Sequence, residues 1–147
     1  MFSSKSDEWS TPQDCFTALD DEFHFVFDAA ARAENAKCRE WFGPDHPHPA
    51  RRDFLTAVHY FPNQWGFCNP PYSRGLQKKF IIACATRRYM VMLLPARTDT
   101  AAFHDYIWDT AAHQPLAFTQ VRFLRGRLKF GGCKDAAPFP SMVVVFQ

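Results

Sequence analysis

Gln64-Trp65-Gly66-Phe67-Cys68-Asn69-Pro70-Pro71-Tyr72-Ser73 reads as a buried strand that ends in a rigid, exposed turn. Residues Gln64 to Cys68 form the strand, and two consecutive prolines stop it. Each proline fixes φ and removes a backbone donor, so the carbonyls at this corner are left to face something other than a sheet neighbour. The corner therefore collects an amide (Asn69), a rigid carbonyl (Pro70) and an aromatic plane (Tyr72) at one strand end. Such a set holds a planar group that carries an NH2. Amide and carbonyl oxygens both accept from that NH2 and localise a nitrogen lone pair otherwise delocalised into the ring, as methyl transfer to an exocyclic amine requires.

Working outward, Thr11-Pro12-Gln13-Asp14 predicts a helix start, with threonine as cap and proline in the first turn, running to about Leu19. Phe23 to Phe27 predicts a central strand apolar on both faces, Ala29 to Ala36 a short helix, and Cys38 to Phe42 a second strand. Gly43 to Ala50 is a proline- and histidine-rich loop. Beyond the corner, Leu76 to Ala85 predicts a helix, Tyr89 to Leu94 a buried strand closed by Pro95, and Thr100 to Ala112 a helix. Pro115 to Phe130 predicts one or two strands with a turn near Gly126, and Ser141 to Phe146 a last strand through Val143-Val144-Val145. Residues Met1 to Ser6 read as a mobile end. Alternating strands and helices predict an α/β sandwich, mostly parallel, with an antiparallel C-terminal element.

Composition bounds the class. A chain of 147 residues, 47% hydrophobic with 16 phenylalanines, predicts one domain with a bulky aromatic core. No apolar run approaches the ~20 residues of a membrane span, and no signal-peptide pattern opens the sequence. The five cysteines include no C-x-x-C pair, which fits reduced thiols and a soluble, cytoplasmic protein. A net charge of +2 does not by itself mark a nucleic-acid binder. The basic residues are grouped, however, as Arg51-Arg52, Lys78-Lys79, Arg87-Arg88 and the set Arg122, Arg125, Arg127 and Lys129, the last reading as a basic edge.

Asn-Pro-Pro-Tyr is the catalytic motif of amino-group DNA methyltransferases, and further blocks agree with one branch of them. Asp7-Glu8-Trp9-Ser10-Thr11-Pro12 resembles an opening signature, and Glu22 to Ala30 a cofactor strand and turn. Met92 to Thr100, Gly126 to Phe130 and Pro138 to Met142 are similar to later blocks, in order. Over nearly its whole length the chain resembles the phage-type DNA N6-adenine methyltransferase (Dam) family. That resemblance implies a small Rossmann-like fold, S-adenosyl-L-methionine as cofactor and DNA as partner, in a monomer or homodimer.

The resemblance also distributes roles. Asn69, Pro70, Pro71 and Tyr72 form the catalytic corner: the Asn69 side-chain oxygen and the Pro70 carbonyl accept the two N6 hydrogens of a flipped adenine, and Tyr72 stacks on the base. Trp9, Ser10, Thr11 and Pro12 flank the methionine end of the cofactor, where Asp28 accepts from its ammonium beside the small Ala29 and Ala30. Asp28 also reads as the cap of a following helix. Asp53 in Asp53-Phe54-Leu55 is the acidic residue for the ribose or adenine, with Glu40 as its competitor. Asn69 itself borders the cofactor. Ser73, Arg74, Arg97, Arg125, Arg127 and Lys129 are the expected DNA contacts, and so compact a chain implies short or relaxed sequence specificity.

The chain lacks G-x-G-x-x-G, for which the branch substitutes Asp-Ala-Ala. His46-Pro47-His48 has no cysteine or carboxylate at ligand spacing, so no metal is expected. Cys68 lies inside a strand and reads as core rather than nucleophile. Alternatives that remain open are cytosine-N4 methylation by the same geometry, a catalytically weak cofactor- or DNA-binding protein of this fold, and methylation of protein glutamine.

Overall fold

The computed structural model describes residues 9–147, with α1 at Gln13–Phe23, β1 at Phe27–Asp28, β2 at Glu40–Trp41 and β3 at Gly66–Cys68. There follow α2 at Arg74–Arg87, β4 at Met90–Pro95, α3 at Ala101–Tyr106, the short pair β5 (Trp108–Asp109) and β6 (Gln114–Pro115), β7 at Thr119–Phe123 and β8 at Ser141–Phe146. The reading of Met1 to Ser6, and of Asp7 and Glu8 in the opening signature, lies outside the described residues.

One six-stranded sheet carries the molecule in the order β2-β1-β3-β4-β8-β7. The first four strands are parallel, and β8 runs against both β4 and β7. This is the mixed, mostly parallel α/β architecture of a Rossmann-like methyltransferase. Because β1 leads outward to β2 while β3 returns on its other side, strand order reverses between β1 and β3. In open α/β sheets a ligand crevice opens at that reversal, beyond the carboxyl ends of the strands.

Strict alternation sorts the buried side chains onto two faces. Met90, Met92 and Leu94 of β4, with Met142, Val144 and Phe146 of β8, join Phe27, Phe42, Phe54, Phe80 and Phe103 in one core against α2 and α3. Val91, Leu93, Val143 and Val145 point the other way and pack with Phe16 and Leu19 of α1, Phe67, Tyr72 and Phe130. A strand buried on both faces has to be apolar at every position, which is why Met90–Pro95 and Ser141–Phe146 were legible as continuous runs. Gly66 is required at its place, since a Cβ there would lie 2.2 Å from the Phe27 ring.

Several expected elements differ. The strand expected over Phe23 to Phe27 forms only at its end: Phe23 closes α1, residues 24–26 are irregular, and Phe27 opens β1. α1 runs on to Phe23, His24 caps it at φ 56°, and Asp20 Oδ1 accepts from Phe25 N, leaving Phe27 and Asp28 for the ladder. The helix expected over Ala29 to Ala36 does not form. Asp28 accepts from the backbone N–H groups of Ala30 and Lys37, and Asn35 Oδ1 from that of Arg32, so side chains take donors that a helix would use. The helix expected to Ala112 stops at Tyr106. Asp109 Oδ1 accepts from Ala111 N and Ala112 N and turns the chain into the β5–β6 hairpin, with Trp108 stacked on Phe103. In Pro115 to Phe130 the regular strand is Thr119–Phe123, and the turn at Gly126 has φ 72°.

Candidate functional site

At the carboxyl ends of β1 and β3 a cavity of about 370 Å³ opens, within the size range of small-molecule sites. Its wall brings together Trp9, Ser10, Thr11, Asp28, Ala29, Ala30, Asp53, Asn69 and Pro71. These expected residues come from four separate stretches of sequence, 9–11, 28–30, 53 and 69–71. Pro12, Pro70 and Tyr72 are not in the wall, and Glu40 is elsewhere, paired with Arg51 at 3.2 Å. Of Asp53 and Glu40, Asp53 is the one that lines the cavity. It caps the short 3-10 turn Phe54–Thr56 by accepting from Leu55 N at 2.9 Å.

Asn69 is the centre of the corner. Its Nδ2 donates to the Trp9 carbonyl and, at 2.9 Å, to Thr11 Oγ1. A carbonyl only accepts, so this pairing fixes which way the amide faces. The amide oxygen Oδ1 is then left buried with no hydrogen-bond partner. An unmet buried acceptor costs on the order of 1–3 kcal/mol unless something donates to it. Thr11 is consequently not the helix cap it was expected to be: α1 begins after Pro12 without any side-chain cap, and the Thr11 hydroxyl serves Asn69 instead.

The backbone of Trp9 and Ser10 is held in turn by the far end of the chain. The Trp9 ring packs edge-on against Phe130 and Phe139, and Gly131 N donates to Ser10 O at 2.8 Å across an isolated antiparallel bridge. Tyr72 joins the same cluster. Its ring, 5% exposed, meets Phe130 and Phe139 edge-on, and its hydroxyl donates to the Leu93 carbonyl at 3.2 Å. Tyr72 therefore buttresses the corner and is not the open stacking face that the sequence suggested. Burial pushes its hydroxyl, and the thiol of Cys68 just before Asn69 in the chain, well above their usual pKa ranges.

Asp28 ends β1, fully enclosed, with one carboxylate oxygen accepting from Ala30 N at 3.2 Å and the other from Lys37 N at 3.1 Å. Burial raises its pKa to about 7, against the lowering effect of those two backbone bonds and the Lys37 charge. With no helix after it, Asp28 organises a loop rather than capping a helix.

Sequence reading missed much of the apolar wall, notably Phe42, Gly43, Phe54, Leu76 and Phe80. Gly43 carried a signal in hindsight: a Cβ there would stand 1.7 Å from the Ala31 carbonyl oxygen, so only glycine lets the two loops touch. Among the described residues no three of His, Cys, Asp and Glu gather as a metal site, and no helix is long and apolar enough to cross a membrane.

The expected DNA contacts lie outside the cavity. Arg97, Arg125, Arg127 and Lys129 are exposed and make no ion pair among the described residues. Ser73 precedes α2, and the Arg74 side chain lies outside what the structure describes. Other basic groups prove structural. Arg122 is held by both oxygens of Glu22 at 2.7 and 2.8 Å, Arg51 lies over the rings of Phe42, Tyr60 and Phe61, and Arg87 donates to backbone carbonyls while covering Phe27. Residues 1–147, the whole chain, match the family model described as DNA N-6-adenine-methyltransferase (Dam). No curated protein matches the chain.

Proposed function

This chain belongs to the DNA N-6-adenine-methyltransferase (Dam) family, and from that premise we propose that its cavity holds S-adenosyl-L-methionine beside an adenine rotated out of duplex DNA. The single observation that carries this reading is the buried Asn69 Oδ1, an acceptor aligned by Trp9 and Thr11 yet lacking a donor. An exocyclic NH2 supplies that donor.

The residues present fit the cofactor. Phe42, Phe54 and Phe80 offer apolar surface for its adenine, Asp53 an acceptor at the rim, Asp28 a carboxylate for its ammonium, and Ala29 to Ala31 a shallow floor. When bound, it supplies a methyl group on a positively charged sulfur, an electrophile with a good leaving group. The protein's part is then orientation. Asn69 Oδ1 and the Pro70 carbonyl accept the two N6 hydrogens of the target base, the lone pair is drawn out of the ring, and Pro71 and Leu76 keep water from its apolar face. With the cofactor held there, the methyl would pass to this nitrogen, the carbon–sulfur electron pair would stay on sulfur, and one N6 proton would be lost to solvent. No covalent link to the protein forms. Arg97, Arg125, Arg127 and Lys129 hold phosphates, which positions the duplex without reading its sequence. The substrate is cytoplasmic DNA, and the small apparatus predicts a short or relaxed recognition site.

Incubation with DNA and methyl-labelled cofactor, followed by nucleoside mass analysis, tests the reading directly. N6-methyladenine is the expected product. N4-methylcytosine would transfer the same geometry to the other amino base, and no labelled nucleoside would refute the proposal.

A further inference from the structure

We propose that Phe123 is the wedge that enters the DNA base stack as the target adenine leaves it; this rests on reading the Asn69 corner as a flipped-base site. Phe123 ends β7 with 59% of its surface exposed. β7 runs in the same direction as β3 and β4, since β8 alone is reversed between them. Phe123 therefore stands at the same end of the sheet as Asn69. The register agrees: Phe123 is opposite Met142, Met142 is opposite Leu94, and Leu124 N donates to Ser141 O at 3.1 Å.

From β3 to β7 is three strand spacings, about 14 Å. That distance is close to the ~12 Å width of the major groove. A base drawn into the corner on β3 and a ring on β7 thus address one stretch of duplex. Exposed cations follow the same strand ends: Arg125 and Arg127 come just after the ring along the chain, and Arg97 comes just after β4, two strands away. Phosphate contacts from these side chains hold the duplex against the end of β7, and an apolar side chain inserted between base steps unstacks and kinks a duplex. The more exposed Phe118, at 77%, occupies the opposite end of β7 beside Gln147, so exposure alone does not single out Phe123; its place at the site end does.

The test uses a duplex carrying a mapped target site, with 2-aminopurine in place of the target adenine to report unstacking by fluorescence. Phe123→Ala should lose most of the fluorescence rise and slow methylation of the paired target by at least tenfold, with the cofactor dissociation constant unchanged. Most of the rate should return when the target adenine faces an abasic site, where less stacking has to be replaced. Phe123→Trp, which keeps a flat apolar ring, should retain both signals. An undiminished rise and rate in Phe123→Ala overturn the proposal. An equal loss on paired and abasic-opposed targets also overturns it, marking Phe123 as an ordinary contact. No methylation by the unsubstituted protein would overturn the reading of the corner, and the wedge with it.

Discussion

Asp28 should make cofactor binding depend on pH in a range where most proteins are insensitive. Its carboxyl is enclosed and its pKa stands at about 7, raised chiefly by burial. The unfolded chain releases this proton near the ordinary aspartate value, whereas the folded protein keeps it to about neutrality. Between those two values the folded state binds the extra proton, so stability falls as pH rises through the window, by a total on the order of 4 kcal/mol as an upper bound. A cationic ligand group reverses the balance, because it favours the charged carboxylate. Binding of S-adenosyl-L-methionine should therefore weaken by roughly eightfold from about pH 7.5 to about pH 6, in proportion to the carboxylate present. Calorimetric titration across that range reads the effect directly. No histidine or cysteine lines the cavity among the described residues. Asp28→Asn should bind at least about tenfold more weakly at pH 7.5, the lower end of what a charge-assisted hydrogen bond contributes, and show no slope with pH. A flat profile in the unsubstituted protein, or a slope that survives in Asp28→Asn, would refute the assignment of the ammonium to this carboxylate.

Three further expectations follow from the same geometry. Asn69→Ala removes the oriented acceptor and should cut turnover by a hundredfold or more, in the range found for single preorganised donors and acceptors, while the cofactor dissociation constant changes only a few-fold; normal turnover contradicts its role. Gly43→Ala places a methyl against the Ala31 carbonyl and should cost about 1–3 kcal/mol by overpacking, seen as a lower melting temperature together with weaker cofactor binding; an unchanged melting curve removes the close approach. Arg127→Ala and Lys129→Ala should each reduce the salt slope of DNA affinity by about one, uniformly across sequences; filter binding at several salt concentrations would expose a sequence-dependent loss.

How much of this was legible depends on what fixes each segment. β8 was readable to the residue and β4 to within one, because a strand buried on both faces shows itself as an unbroken apolar run. The Asn69 corner was readable because prolines act locally. Phe23, Phe25 and Phe27 misled for the opposite reason: their alternation suits a strand, but Phe23 and Phe25 pack on Phe16, Phe67 and Trp65 from a helix end and the irregular segment after it. The stretch after Asp28 looked helical by composition, and side-chain carboxylate and amide groups decided otherwise. At the site, nine of the residues named from motifs line the cavity and Pro12, Pro70 and Tyr72 do not, whereas the aromatic part of the wall, Phe42 and Phe54, comes from the long 42–57 segment, whose path no periodicity encodes. Thr11 was placed at the pocket from its motif, but its bond to Asn69 could not be read, since that partner is 58 residues away.

The position of β8 has a bearing on synthesis. Residues 141–146 slot between β4 and β7, joining strands that have no other ladder between them. While a ribosome is still translating residues before 141, β7 has no strand to lie against and the apolar edge of β4 stays bare. The Trp9 clasp, which needs Phe130 and Phe139, also forms late. A nascent chain is thus expected to remain inert toward nearby DNA and dependent on chaperones until that segment emerges, when sheet and reactive corner would be completed together.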